Sequence, residues 1–305
     1  MTATHPIVLV VGDLVADVTI APSEEPVPGE EIEGAISLQG GGSAANQAAW
    51  LAHFGAHVRF GGRVGDDLLG ALLSQQLRDS GVQCRIVVDP HRSTGIVAAF
   101  LNDEGERALV THRAANAHLR ADDVAPELWD GAQLLILTGY LFTHPRAAEA
   151  GRALMALARE RNVPVALDPA SHRLIERYPG ARRFLDWTAG AAWFLPNSSE
   201  AQHLTGATSE RVAAAMLLEL YDGVAITRGA NGCLIATKIQ GRTTIVEIPS
   251  PHRVVPVDST GAGDAFAAGF LFAWLRGEAT AEAATSGLRL AEHAVLQLGA
   301  RPTPP

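Results

Sequence analysis

Residues 258–270 read DSTGAGDAFAAGF, and the run AAGFLFAWLRG (267–277) that overlaps them has the small, apolar character of a buried helix. Asp258-Ser259-Thr260 ahead of it offers side chains suited to capping a helix N-terminus. Gly261, Ala262 and Gly263 are therefore expected at the first turn, with unpaired backbone N–H groups. Such groups, backed by the helix dipole, attract an anion. Asp264 sets a negative charge where that anion belongs. The conflict marks the stretch as a place where chemistry is done.

Around it lies a chain of 305 residues, 47% hydrophobic and 19% charged, the composition of a globular protein built as one large α/β domain. A net charge of -9 provides no electrostatic footprint for nucleic acid or an anionic membrane. Cys84 and Cys233 cannot make a disulfide framework or a zinc site on their own, which points to a reducing cytoplasmic location. The run IVLVVG (7–12) is too short to span a membrane and reads as a buried strand.

Similar short apolar runs recur at 58–65, 132–139, 163–168, 191–196 and 223–229, ending in glycine, proline or a polar residue. Between them helical patterns are expected over 44–54, 68–80, 145–161, 198–205, 209–221, 264–276 and 280–298. Strands alternating with helices imply right-handed βαβ units: a doubly wound, mostly parallel sheet with helices on both faces. Ligands of such sheets bind beyond the carboxyl ends of the strands. Residues 17–42 and 94–116 break the rhythm with strand-like runs, and NDEG (102–105) is a hairpin signal. Together they read as a small β-sheet lid over the strand ends, the competing reading being two static surface hairpins. PTPP (302–305) reads as an irregular tail.

GGGSAANQAAWLAHFG (40–55) puts glycines before a helix, where a ligand can approach the backbone, with Asn46 in the first turn. It is not the dinucleotide fingerprint, and no Walker A pattern occurs. In LPNSSEAQHLTG (195–206), Asn197 and Glu200 open a helix after a strand. They suit a phosphate-bound metal reached through water and equally form a capping box, the better reading for the segment in isolation. TRGANG (227–232) is a turn between strands or a loop beside a nucleotide.

These segments stand in the order and spacing of the ribokinase-like, or PfkB-type, carbohydrate kinases. The resemblance runs from VGDLVAD (11–17) through GGGSAAN, RVGDDLLG (63–70), LPNSSE and ITRGANG to DSTGAGDAF, essentially the whole chain. It implies transfer of the ATP γ-phosphoryl group to a hydroxyl of a small sugar-like acceptor. Asp264 is then the general base, and the N–H groups of Gly261, Ala262 and Gly263 are the anion hole. The base faces the nucleophile while the backbone faces the phosphate, which resolves the opening conflict. The resemblance further implies that Asn197 and Glu200 organise Mg²⁺ and its waters. Thr227, Arg228, Gly229 and Gly232 then flank the nucleotide, and Asp17, Gly41, Gly42 and Asn46 hold acceptor hydroxyls. Asp258 and Thr260 begin a K⁺ loop completed near Gly299. Pairing through the lid, as in the family, implies a homodimer.

Departures from the family bear on the acceptor. Ser43 stands where lysine is common after the paired glycines, which weighs against a phosphorylated acceptor. No acid near Leu137-Thr138-Gly139-Tyr140 matches the ribokinase glutamate that holds ribose. Arg113 suits the carboxylate of an acidic sugar of the 2-keto-3-deoxy type, or sits on the surface. Phe100 and the 94–101 run permit a nucleoside base, and Leu288 an apolar contact to adenine. The alternatives are thus a nucleoside kinase, an acidic-sugar kinase, or a non-catalytic regulator that binds nucleotide or sugar.

Overall fold

The computed structural model describes residues 5–101, 107–239 and 241–302. Its first half runs β1 (Ile7–Val11), β2 (Val15–Pro22), β3 (Gly34–Gly41), α1 (Ser43–His53), β4 (His57–Gly65), α2 (Leu68–Asp79), β5 (Gln83–Asp89), β6 (Gly95–Leu101), β7 (Arg107–His112) and β8 (Leu134–Thr138). The second half runs α3 (Pro145–Glu160), β9 (Val165–Asp168), α4 (His172–Arg177), α5 (Ala181–Thr188), β10 (Trp193–Phe194), α6 (Ser198–Thr205), α7 (Glu210–Leu217), β11 (Gly223–Thr227), β12 (Cys233–Ile239), β13 (Arg242–Ile248), α8 (Ala262–Leu275) and α9 (Thr280–Ala294).

The large sheet has the order β13-β12-β11-β10-β9-β8-β1-β4-β5. It is parallel from β5 to β11 and ends in the antiparallel pair β12 and β13. Strand alternation divides the core in two. Val8 and Val10 of β1 pack with Trp50, Phe60 and Phe270 under α1, α8 and α9. Leu9 and Val11 point the other way, into a core with Phe142, Leu154 and Phe194 under α3, α5, α6 and α7. Each fully buried side chain of this size contributes about 1.5–3 kcal/mol, so an uninterrupted apolar strand such as IVLVV is stable only between two helical layers. Helices α8 and α9 approach closely: a Cβ on Gly269 would lie 3.1 Å from the Gly287 Cα.

A second sheet, β3-β2-β6-β7, is built from the two segments that break the βα rhythm. Strands β2 and β6 are parallel, and β3 and β7 flank them antiparallel. This is the lid expected from residues 17–42 and 94–116; the hairpin signal NDEG lies outside the described residues, as does most of PTPP.

Several elements differ from expectation. Strand β5 lies at a sheet edge, where QCRIVVD lacks the continuous apolar run of a buried strand. Helices α4 and α5 arise from arginine-rich stretches, HRLIER and ARRFLDWT, whose burial rests mainly on Ile175, Phe184 and Thr188. Helix α9 stops at Ala294, short of the expected 298.

Candidate active site

Helix α8 begins at Ala262, with Gly261 as its N-cap in the left-handed region at φ 76° and no side chain capping it. This corrects the expected Asp258-Ser259-Thr260 cap. Asp258 turns back on its own loop, where Oδ1 accepts from the Thr260 N–H at 2.8 Å and Oγ1 at 2.6 Å. Its Oδ2 accepts from the Gly299 N–H at 3.0 Å, joining the two segments expected to form a cation loop. With no side-chain cap, the first turn lines the cavity above α8 with Gly261, Ala262 and Gly263, the setting of an anion site, although the Ala262 N–H makes a long 3.4 Å bond to the Ser259 carbonyl.

Asp264, 8% exposed, stands at that turn and is held by three donors from α1. Ser43 Oγ donates to Oδ1 at 2.5 Å, Asn46 Nδ2 to Oδ2 at 3.0 Å, and Gln47 Nε2 to Oδ1 at 3.2 Å. Burial raises its pKa while these donors, with Arg301, oppose the rise. The result is a fixed carboxylate of raised basicity. The same Gln47 amide donates to Asp168 Oδ2 at 3.0 Å, bridging two acids from different elements.

Two cavities meet at Asp264. One, of about 250 Å³, is lined by Asp168, Asn197, Glu200 and Thr227 as well as Gly261, Ala262 and Gly263. The other, of about 230 Å³, lies under the lid sheet and includes Asp17, Gly42 and Asn46. Ser43, Tyr140, Gly261 and Asp264 line both.

In the first cavity Asn197 and Glu200 form the reciprocal capping box, each backbone N–H bonded to the other's side chain at 2.9 Å. Burial and the charge of Asp168 push Glu200 up to about 8. Burial and the charge of Asp264 push Asp168 up to about 7. Ala170, a non-glycine residue at φ 61°, closes the loop that bonds its N–H to Asp168 Oδ1 at 2.9 Å. Thr227 meets Asn197 through a lone parallel bridge. Arg228 points elsewhere: its guanidinium is paired with Glu247 at 2.9 Å. Gly229 and Gly232, both of positive φ, shape the turn that follows.

In the second cavity, Asp17 on β2 is raised to about 6 by burial and the charge of Asp264, against the pull of Arg301. Arg301 donates from Nε to Asn46 Oδ1 at 3.1 Å and from Nη2 to the Gly41 carbonyl at 2.8 Å. Gly41 thus supports the wall from behind; its Cα packs against the Asp17 carboxylate. Burial lowers Arg301 to about 10, with Asp17 and Asp264 resisting the drop. Arg113 is neither at the surface nor free. Its Nε and Nη2 grip Asp13 Oδ2 and Oδ1 at 2.7 and 2.6 Å, and Nη1 reaches Thr143 Oγ1 at 3.2 Å. The cavity's apolar side is Val97, Ala99 and Leu109. Phe100, by strand alternation, faces outward and is 42% exposed, so it forms no wall for a base. Leu288 is buried in the core under α8.

Asp13, Gln47, Tyr140, Asp168 and Arg301 belong to the site, yet sequence reading assigned none of them a role. Asp168 carried a signal, an acid at the carboxyl end of a buried strand. Arg301 carried none, since it follows the last helix in a stretch without periodicity. Among the described residues no cluster of three or more His, Cys, Asp and Glu forms a direct metal cage, and no helix is long and apolar enough to cross a membrane.

Comparison with known proteins identifies the family and the fold. A family model, pfkB family carbohydrate kinase, matches residues 6–305. Ribokinase of Mus musculus is 30% identical over 275 residues, covering 87% of this chain and 80% of its own. The structure of Arabidopsis thaliana ribokinase complexed with ribose and ATP superposes with a TM-score of 0.81 at 26% identity, over 97% of this chain and 95% of that one. The adenosine kinase structure from Sinorhizobium meliloti shares the fold, with a TM-score of 0.84 at 23% identity over 98% and 96% of the two chains.

Proposed function

The chain belongs to the pfkB family of carbohydrate kinases, phosphotransferases with an alcohol acceptor, and we propose that it moves the γ-phosphoryl group of ATP onto a hydroxyl of a small sugar-like molecule. The observation that carries this reading is the junction of the two cavities at Asp264 and Gly261. A phosphate in the first cavity and an acceptor in the second would meet beside one carboxylate and one set of backbone donors.

In this reading the acceptor lies among Asp17, Gly42 and Asn46, with the reacting hydroxyl at Asp264. Its proton passes to the Asp264 carboxylate as the oxygen–phosphorus bond forms and the bond to the β-phosphate oxygen breaks, releasing ADP. The N–H groups of Gly261, Ala262 and Gly263 stabilise charge on the transferring oxygens. The oxygen-rich wall of Asp168, Asn197 and Glu200 fits a hard divalent cation. Glu200 and Asp168, raised to about 8 and 7 by burial and neighbouring negative charge, gain from a positive neighbour. Mg²⁺ held there through water, as it commonly is on triphosphates, supplies charge neutralisation. Asp258, Thr260 and the Gly299 loop would hold K⁺.

The apolar strip Val97, Ala99 and Leu109 supports a second reading, in which the acceptor is a nucleoside whose base lies against the lid. For assembly we propose a homodimer through the lid's outer face, where Ile36, Leu38, Phe100 and Val110 are 71, 45, 42 and 61% exposed. The free cysteines Cys84 and Cys233 accord with a cytoplasmic protein.

A coupled ADP-release screen across pentoses, hexoses, sugar acids and nucleosides tests the reading. Acceptor-dependent turnover is expected, and Asp264→Asn should lower it by about 10²–10⁴ with ATP affinity retained. Binding of ATP and a sugar without transfer would support the regulator, and undiminished turnover in the variant would remove Asp264 from its role.

A further inference from the structure

We infer that the Asp13–Arg113 ion pair sets the charge specificity of the acceptor cavity, so that the site takes uncharged polyols and rejects carboxylated or phosphorylated ones. The inference rests on the reading of that cavity as the acceptor site.

Among the described residues Arg113 is the single cationic side chain lining the cavity, and three carboxylates, Asp13, Asp17 and Asp264, face the same space. The guanidinium is already committed. Asp13 takes its two-pronged edge at 2.6 and 2.7 Å, and Thr143 takes Nη1. The paired side chains are only 9 and 7% exposed, so water does little to screen or replace the contact. Among the described residues no other cationic side chain lines this cavity. Ser43 replaces the common lysine of the paired-glycine turn. Arg301 is bonded to Asn46 and the Gly41 carbonyl and is absent from the cavity lining. The chain's one lysine, Lys238, lies on β12 and pairs with Glu219.

An anionic acceptor reaching Arg113 must therefore displace Asp13, which would leave a buried carboxylate without its partner beside Asp17. Breaking one side of a buried pair carries a large penalty, whereas a hydroxyl can use the outer N–H and carboxylate lone pairs of the intact pair. Specificity of this kind comes from a repulsive element as much as from an attractive one. Asp13 follows β1 of the large sheet and Arg113 follows β7 of the lid, so the pair also ties lid to core.

The test compares wild type, Asp13→Asn and Arg113→Gln on a neutral and anionic series of matched size: D-ribose, D-ribonate and ribose 1-phosphate. Kinase turnover and calorimetric affinity are both read. For wild type we expect at least about 100-fold preference for the neutral member, the scale on which losing a buried partner discriminates. Asp13→Asn keeps the shape and frees the guanidinium. It should bind the anions at least about tenfold more tightly than wild type, while Arg113→Gln should show no such gain. Equal handling of neutral and anionic acceptors by wild type would overturn the inference without any variant. So would an Asp13→Asn protein that weakens all three ligands alike, which would make the pair a strut only. Failure of the kinase reading is recognised separately. No member would then be phosphorylated, yet a tenfold gain in anion affinity in Asp13→Asn alone would still support the charge filter.

Discussion

Gly261 and Gly263 stand two residues apart at the start of α8, and the structure assigns them opposite sensitivities to a single methyl group. A Cβ on Gly263 would meet nothing within 4 Å. The residue has ordinary helical φ and lines the first cavity. Gly263→Ala should therefore fold at least as well as wild type, gaining up to about 0.5–1 kcal/mol from reduced backbone entropy in the unfolded chain. The new methyl, however, would occupy open space beside the first cavity, where the proposed mechanism brings phosphoryl oxygens to the N–H groups. Loss of an anion-hole contact costs about 10²–10³ in kcat, and a fall of that order is expected. Gly261 is different. Its φ of 76° costs a side-chain-bearing residue roughly 1–2 kcal/mol. A Cβ there would also lie 2.7 Å from the Cα, Cβ and carbonyl oxygen of Ala300. Backbone must move to relieve that contact, and the moving segment carries Gly299 and Arg301. Gly261→Ala should lose about 2 kcal/mol or more, roughly 4 °C in Tm, together with activity. Thermal unfolding and steady-state ADP release on the two purified variants decide the matter. A Gly263→Ala protein with wild-type kcat, or one that unfolds several degrees early, would refute the placement of these N–H groups over the transferring phosphate.

Asp17→Ala should raise the acceptor KM and lower kcat/KM for it while the KM for ATP changes little; unchanged acceptor kinetics would make Asp17 a support for the strand end. Arg301→Gln removes the cation that opposes protonation of Asp17 and Asp264, so the acidic limb of the kcat/KM profile should move to higher pH; an unmoved limb would leave Arg301 with packing alone. Asp17, Asp168 and Glu200 hold protons to about 6, 7 and 8, against ordinary values of 3.8, 3.8 and 4.5. Raised folded values mean that their stabilising contribution is complete below about pH 4 and is lost as pH climbs through 6 to 8. This cluster should make the Tm of ligand-free protein decline from about pH 5 to about pH 9. Glu200→Gln should flatten that decline, and parallel curves for variant and wild type would count against the raised value.

The architecture could be read from local patterns. IVLVV is apolar at every position because β1 is buried on both faces, and the 17–42 and 94–116 stretches lack helical periodicity because they form a separate sheet. The helix start at α8 could be read from its glycine turn because that turn depends on neighbouring residues alone, and the structure places it uncapped on the first cavity. The expected Asp258 cap failed for a non-local reason: its carboxylate finds the Gly299 N–H, 41 residues away, as well as its own turn. Phe100 was a reasonable wall for a base until the register of β6 with β2 placed Val97 and Ala99 on the inner face and Phe100 on the outer one. Asp264, Gly261, Asn197, Glu200 and Asn46 stand out because each sits in a local motif, whereas Asp17 is named through the family resemblance alone. What those residues touch cannot be read that way. Asn46 reaches Asp264 across 218 residues and Arg301 across 255, and Arg113 reaches Asp13 across 100. A charge has no periodicity, so nothing in the string HRAAN tells whether its arginine awaits a substrate or already holds a partner. That depends on which strands lie side by side once the two sheets have closed their cores. Burial then gives the chosen contacts their strength by removing the water that would otherwise have satisfied each group alone.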